Sequence, residues 1–283
     1  MIFFDEKRAS ELGEIFRGSI RELSLLFVER DPQFLAVRKI LEKAGFPEGG
    51  FYVAGVALVS YMLSKRGEDH WLEAAELFDG TPGALYRFVE EAESLRRFRE
   101  HRVKRIKRYV ASREKVLSLL SEVPVNLERF ASTVARIVGA NPEDKTVVFA
   151  SKMLLYACIA ANKEYTGGER LPIPVDYRVS LVTLTSGIAK GWSCLDDLRA
   201  HASNLRAKHK EEVKAAWSLV GRQAEIPPIL LDAPVWLVGG CIDRGDFEVK
   251  RIDECLEENF AGAPLHALRE LYAELRRCQA ESP

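Results

Sequence analysis

Apolar residues recur at helical spacing along almost the whole chain, and no stretch alternates with the two-residue period of a half-buried strand. That pattern predicts an all-α fold. Leu12, Ile15, Phe16, Ile20, Leu23, Leu26 and Phe27 line one face of a helix expected over 5–28. Asp31-Pro32 restarts a helix that runs to about Ala44, proline being tolerated at the first helical position. Phe51 to Ser64 reads as an apolar core helix, Glu68 to Leu77 follows with Trp71, and Thr81-Pro82 caps a helix through about Glu93. Residues 94–121 form one or two helices, and Pro124-Val125-Asn126 opens another reaching Val138. Further helices are expected near 176–187, 194–206, 208–223, from Pro227-Pro228 to Val238, and over 264–279, with Gly239 to Asp246 as a loop.

Residues 138–178 are the centre of this arrangement. Gly139 to Asp144 connects two helices as a hairpin, and Lys145 opens the second of them. Ile173-Pro174-Val175 cannot continue a helix, so Asp176, thirty-one positions after Lys145, sits where an N-cap belongs. Lys145 taken alone is an ordinary lysine in a first turn. A cation there opposes the helix dipole, and the dipole with burial would favour the free amine of a nucleophile. Phe149 and Lys152 follow at i+4 and i+7 on the same face, an amine beside an aromatic plate that suits a flat ligand. Capping alone explains Asp176, and it also suits a carboxylate that stabilises positive charge or accepts a proton.

Composition bounds the rest. The 283 residues are 47% hydrophobic, enough for one large core or two modest ones. A net charge of −1 leaves basic surface only a local role. Eight of the thirteen residues from Arg96 to Arg108 are Lys or Arg, a density that suits phosphate neutralisation or a plain solvated helix face. Five cysteines without paired short spacing are expected to be thiols in a reducing cytosol. The start, MIFFDEKRASEL, is too charged for a secretory signal, and the apolar run Phe51 to Leu63 is too short to span a bilayer. A cytoplasmic, nucleoid-associated monomer that binds no membrane is expected. Asp232 and Trp236 form another i,i+4 pair, in which the acid needs a partner if buried and the indole could stack on a ligand. Gln33, Trp71 and His70 are unremarkable one by one, and His70 has no second ligand at metal spacing.

The stretches IVGANPEDKTVVFASK, IPVDYRV, IPPILLDAPVWL, ERDPQFLAV and GEDHW resemble, in this order-preserving set spread over about 29–240, the archaeal 8-oxoguanine DNA glycosylase (AGOG) family of helix-hairpin-helix DNA glycosylases. The resemblance implies two helical subdomains flanking a DNA-binding cleft. One spans 49–164 and ends in the hairpin and the lysine helix, and the other combines 1–48 with 165–283. It implies a bifunctional glycosylase and AP lyase that excises 8-oxoguanine by base flipping, with no metal or organic cofactor. Lys145 would be the nucleophile and Asp176 the carboxylate that supports it. Gln33, Trp71, Phe149, Lys152, Asp232 and Trp236 would bind the base and Gly139 of the hairpin the DNA backbone, to which the basic stretch adds Arg102, Lys104 and Arg105 as candidate phosphate contacts. The superfamily's usual hairpin carries two glycines before its lysine, whereas only Gly139 stands here, with five residues (140–144) between it and Lys145. A glycosylase for another lesion and a non-catalytic helical DNA-binding protein are the alternatives.

Overall fold

Helices form where the periodicity places most of them. The structure, a computed structural model, describes residues 2–19, 28, 30–194, 197–260 and 262–281. The chain divides into two units, 29–171 and the pair of segments 1–28 with 172–283. The middle unit contains α1 (Pro32–Ala44), α2 (Glu48–Val59), α3 (Gly67–Leu77), α4 (Ala84–Glu91), α5 (Arg99–Ala111), α6 (Arg113–Leu120), α7 (Leu127–Val138) and α8 (Lys145–Ala160). Its centre is α2, in which every residue from Gly49 to Val59 is buried. Such an all-round apolar helix has no solvent face, so it must be surrounded. It packs against α8, α1 and α5, and Gly55 permits one close approach, since a Cβ there would lie 2.6 Å from Leu85. Because α1 packs on α8, α3 and α2, the boundary expected after residue 48 lies after residue 28.

The helix expected over 51–64 stops at Val59, and the basic stretch explains its ending. Arg102, fully buried, donates to the carbonyls of Val59 at 3.1 Å, Leu95 at 2.9 Å and Tyr61. Arg105 donates to Leu58 at 3.0 Å. Two guanidinium groups thereby satisfy carbonyls that the last turn of α2 leaves without partners.

In the outer unit, α9 (Glu6–Ser19) packs against α12, defined as Lys210–Ala224. A Cβ at Gly13 would lie 2.5 Å from Gln223 and 2.7 Å from the Val220 carbonyl, so the two backbones meet there. Ile20, Leu23, Leu26 and Phe27 of the expected 5–28 helix lie outside the described residues. Among the described residues the other α-helices of this unit are α10 (Tyr177–Thr185), α11 (Leu198–Lys208), α13 (Pro228–Arg244), α14 (Val249–Asn259), α15 (Leu265–Arg269) and α16 (Ala273–Glu281).

Further features depart from expectation. First, α13 runs through Gly239-Gly240 to Arg244 instead of ending at Val238, and Gly239 serves a close contact with α10 in place of a helix end. A Cβ there would lie 2.9 Å from that of Arg178. Second, α14 was hidden because only Ile252 and Leu256 of its residues are buried. Third, the described residues include two pairs of two-residue strands, Phe3–Phe4 antiparallel to Ala189–Lys190 and Val125–Asn126 parallel to Tyr165–Thr166. Four of the expected thiols are disulfides, Cys194–Cys278 and Cys241–Cys255, both in the outer unit. Cys158 is the free one, and burial pushes its thiol up to about 12. Among the described residues no single helix is long and apolar enough to cross a membrane.

Candidate active site

The middle unit contributes a polar cluster beneath one face of α8. Asp144 precedes that helix and its carbonyl accepts from Val147 at 2.8 Å and Val148 at 3.0 Å, which places Lys145 in the first helical position. Lys145 is exposed. Phe149, one turn on, is half-buried, and Lys152 is completely buried. The face thus descends from solvent into the core.

A buried ammonium needs a counterion, and Asp31 supplies it. Its Oδ2 lies 3.4 Å from Lys152 Nζ and accepts from the Tyr156 hydroxyl at 2.8 Å, while Oδ1 caps α1 through the Gln33 N–H at 2.9 Å. Lys152 also donates to Gln33 Oε1 at 3.0 Å. An ammonium can only donate, so this contact fixes which end of the Gln33 amide faces it. The second lone pair of Oε1 and the two amide hydrogens are the groups left to read another molecule. Trp71, buried, meets Phe149 edge-on with centroids 6.1 Å apart, and Lys152 lies 5.7 Å from the Phe149 ring centre. With its charge engaged by Asp31, Lys152 is a buried anchor for Gln33.

Asp31 and Tyr156 complete the cluster, and the sequence carries only a faint signal for each. Extending the series Lys145, Phe149, Lys152 by one more turn reaches Tyr156, while Asp31 shows in the sequence only as a helix start. Beside Trp71, His70 accepts and donates to two hydroxyls. Ser60 spends its proton on the Val56 carbonyl at 2.8 Å, so it accepts from His70 Nε2 at 2.7 Å, and Ser94 donates to Nδ1 at 2.8 Å. The neutral ring is therefore fully satisfied, and burial depresses its pKa to about 3.

The outer unit contributes a second set. Asp176 caps α10 by accepting from the Val179 N–H at 2.9 Å, and it remains half-exposed. On α13, Asp232 and Trp236 stand one turn apart and are both buried, at 3% and 8% exposure. Arg178 lays its guanidinium 3.8 Å from the Trp236 ring centre. It went unnoticed in the sequence, although a lone cation in the apolar run YRVSLVTLT was a signal.

The four backbone-binding candidates separate. Arg102 is sealed on main-chain carbonyls and cannot reach a phosphate, and Arg105 is largely committed to Leu58. Lys104 is exposed. Gly139 ends α7 in the left-handed region with φ 71° and ψ 50°, a conformation that favours glycine.

The family model of AGOG, N-glycosylase/DNA lyase, matches residues 13–270. The chain belongs to this family. Among similar AGOG-type proteins, the N-glycosylase/DNA lyase of Pyrobaculum aerophilum is 33% identical over 85% of this chain and 90% of its own. That of Methanopyrus kandleri is 27% identical over 83% and 89%. A crystal structure of the 8-oxoguanine DNA glycosylase of Pyrobaculum aerophilum, complexed with 8-oxoguanosine, superposes with a TM-score of 0.71 at 27% identity. It covers 96% of this chain and 97% of that one. The all-α architecture is accordingly that of the AGOG enzymes, and the chain is a DNA glycosylase and lyase.

Proposed function

We propose that this enzyme excises 8-oxoguanine from DNA with Lys145 as nucleophile and then cleaves the strand by β-elimination. The observation that carries this reading is the single face of α8 on which exposed Lys145, half-buried Phe149 and buried Lys152 follow one another, with Lys152 holding Gln33 of α1. A base must leave the stack before chemistry can reach its sugar. Phe149 and Trp236 act as its stacking plates, at roughly 1–3 kcal/mol per base, but any base can stack. Discrimination needs hydrogen bonds. 8-Oxoguanine carries a proton on N7 where guanine has a lone pair, and the free lone pair of Gln33 Oε1 suits that proton. A guanine would oppose lone pair to lone pair, which is the kind of mismatch that discriminates strongly. Asp232 accepts from the N1–H and amino edge, and Trp71 backs Gln33 and Phe149.

The neutral Lys145 amine attacks C1′ as the bond to N9 breaks, and the electron pair leaves with the base, which takes up a proton. Asp176 stabilises the positive charge that develops on the sugar ring and assists the proton movements. Ring opening gives a Schiff base on Lys145, removal of a C2′ proton expels the 3′ phosphate, and water releases the enzyme. The AGOG relative complexed with 8-oxoguanosine supports the substrate class.

Borohydride trapping on an 8-oxoguanine duplex tests the reading, with a guanine duplex and Lys145→Gln as controls. An adduct is expected only with the lesion and only with Lys145, and Lys145→Gln should retain duplex binding while losing both activities. Strand cleavage by Lys145→Gln would remove Lys145 as nucleophile. An equal adduct yield on a different lesion would remove 8-oxoguanine as the preferred substrate.

A further inference from the structure

The hairpin before Lys145 has few backbone amides to give to a ligand. The N–H groups of Gly139 and Ala140 both point back to the Ala135 carbonyl, the latter at 2.9 Å. The N–H of Asn141 goes to the Asp144 carboxylate at 2.9 Å, and Pro142 has none. Backbone amides at a turn are a common way to hold a phosphate, and here three in succession are spent inside the protein.

Beside this turn lies an open groove lined by Tyr61, His101, Lys104, Arg105, Arg108 and Val138. It contains four basic side chains and no acid. Arg105 faces inward onto Leu58, as already described. Arg108 donates to the Val138 carbonyl at 3.3 Å and lies over the turn, since a Cβ on Gly139 would be 3.2 Å from its Nη1. His101 and Lys104 are exposed and form no hydrogen bond or ion pair with the described residues. His101, Lys104 and Arg108 are spaced i, i+3, i+7, so they share one face of α5 over roughly 10 Å of helix rise. That is long enough for more than one phosphate of a strand.

We infer that this groove holds the phosphodiester backbone of DNA alongside the hairpin, with Lys104 and Arg108 supplying by side chain the grip that the turn's amides have given up. The inference rests on the DNA reading above and adds a binding surface to it. The basic stretch is then split in use: Arg102 closes the end of α2 and Arg105 donates to Leu58 from the wall of the groove, while His101, Lys104 and Arg108 meet the nucleic acid. A stripe of this kind contributes sequence-independent, salt-sensitive affinity.

The test compares the unmodified protein with Lys104→Gln and with Lys104→Gln/Arg108→Gln in duplex titrations across a salt series. The slope of log affinity against log salt should flatten by about 0.9 for the single variant and about 1.8 for the double, one increment per phosphate contact. Duplex affinity should fall about tenfold for the double variant at moderate salt, and Lys104→Arg should restore the slope. Binding of free 8-oxoguanosine, which has no phosphate, should be unaltered. An unchanged slope, or an equal loss for the nucleoside, overturns the groove. Displacement of DNA by inorganic phosphate better than by chloride at equal ionic strength, in the unmodified protein only, would show a free-anion site and also overturn it. Lesion excision that persists while the slope stays fixed would reject the groove alone. No excision by the unmodified protein would reject the functional reading and this inference together.

Discussion

At the residue scale, Asp176 serves as a cap and, in the proposed mechanism, as a reacting group, and a substitution can separate these duties. Asparagine caps about as well as aspartate, so Asp176→Asn should melt within a few degrees of the unmodified protein. Its single-turnover excision should nonetheless fall by about 100-fold or more, because the amide carries no charge to place beside a developing cation. A near-normal rate would reduce Asp176 to its cap. His70 makes a separate prediction through its linkage. The folded ring protonates only near pH 3, against about 6.5 in the unfolded chain. As pH falls from 6.5 toward 3 the unfolded state binds a proton that the folded state refuses, so stability is lost, by at most about 1.4 kcal/mol per pH unit. Ring NMR signals of His70 should therefore not titrate between pH 8 and pH 4, and a midpoint near pH 6 would contradict the geometry of its two hydroxyl partners.

Individual elements show how one stretch can hold two roles. The count of lysines and arginines along α5 was legible, but which of them faced inward was not, because both faces carry cations. Arg102 is the decisive case. Replacing it with methionine keeps the volume but leaves the carbonyls of Val59, Tyr61 and Leu95 without their buried donor. The expected cost is about 3 kcal/mol or more, at about 1–3 kcal/mol per unsatisfied group. Denaturant unfolding measures this cost. Duplex affinity measured below the melting range should stay within twofold of the unmodified protein, whereas a Lys104 variant should show the reverse pattern. Loss of affinity without loss of stability in Arg102→Met would restore it as a DNA contact.

For the whole molecule, the two units differ in covalent bracing. Cys241–Cys255 closes a sequence separation of 14 and Cys194–Cys278 one of 84, and all four residues lie in the outer unit. Loop-closure arguments give about 3 kcal/mol for the shorter and about 4.5 kcal/mol for the longer. Reduction with dithiothreitol should accelerate hydrogen exchange throughout α10 to α16 and leave protection of α2 and α8 unchanged. Thiol counting in denaturant should find one free cysteine, Cys158, before reduction and five after. Five before reduction would return the cysteines to the thiol state that composition suggests, and exchange that rises equally in α2 would break the assignment of the disulfides to one unit.

Local chemistry was readable wherever the cause was local. Asp31-Pro32, Asn126 and Asp176 each carry a side-chain oxygen that caps the helix that follows, and Lys145 begins its helix because Asn141-Pro142 precedes it in a turn. The apolar face from Phe51 required burial on every side. Tertiary structure decided what depends on partners far away in the chain. Asp31 meets Lys152 and Tyr156 across more than a hundred residues, and no spacing rule relates them. Gly239 marks a close helix contact and no helix end, since Arg178 of another helix leaves no room for a Cβ there. The cysteines pair because α13 and α14, and the turn at 194 and α16, are brought together. Periodicity and capping depend on neighbours within one or two turns and so can be read from the sequence. Buried ion pairs, close backbone approaches and disulfides depend on which helices meet, which only packing determines.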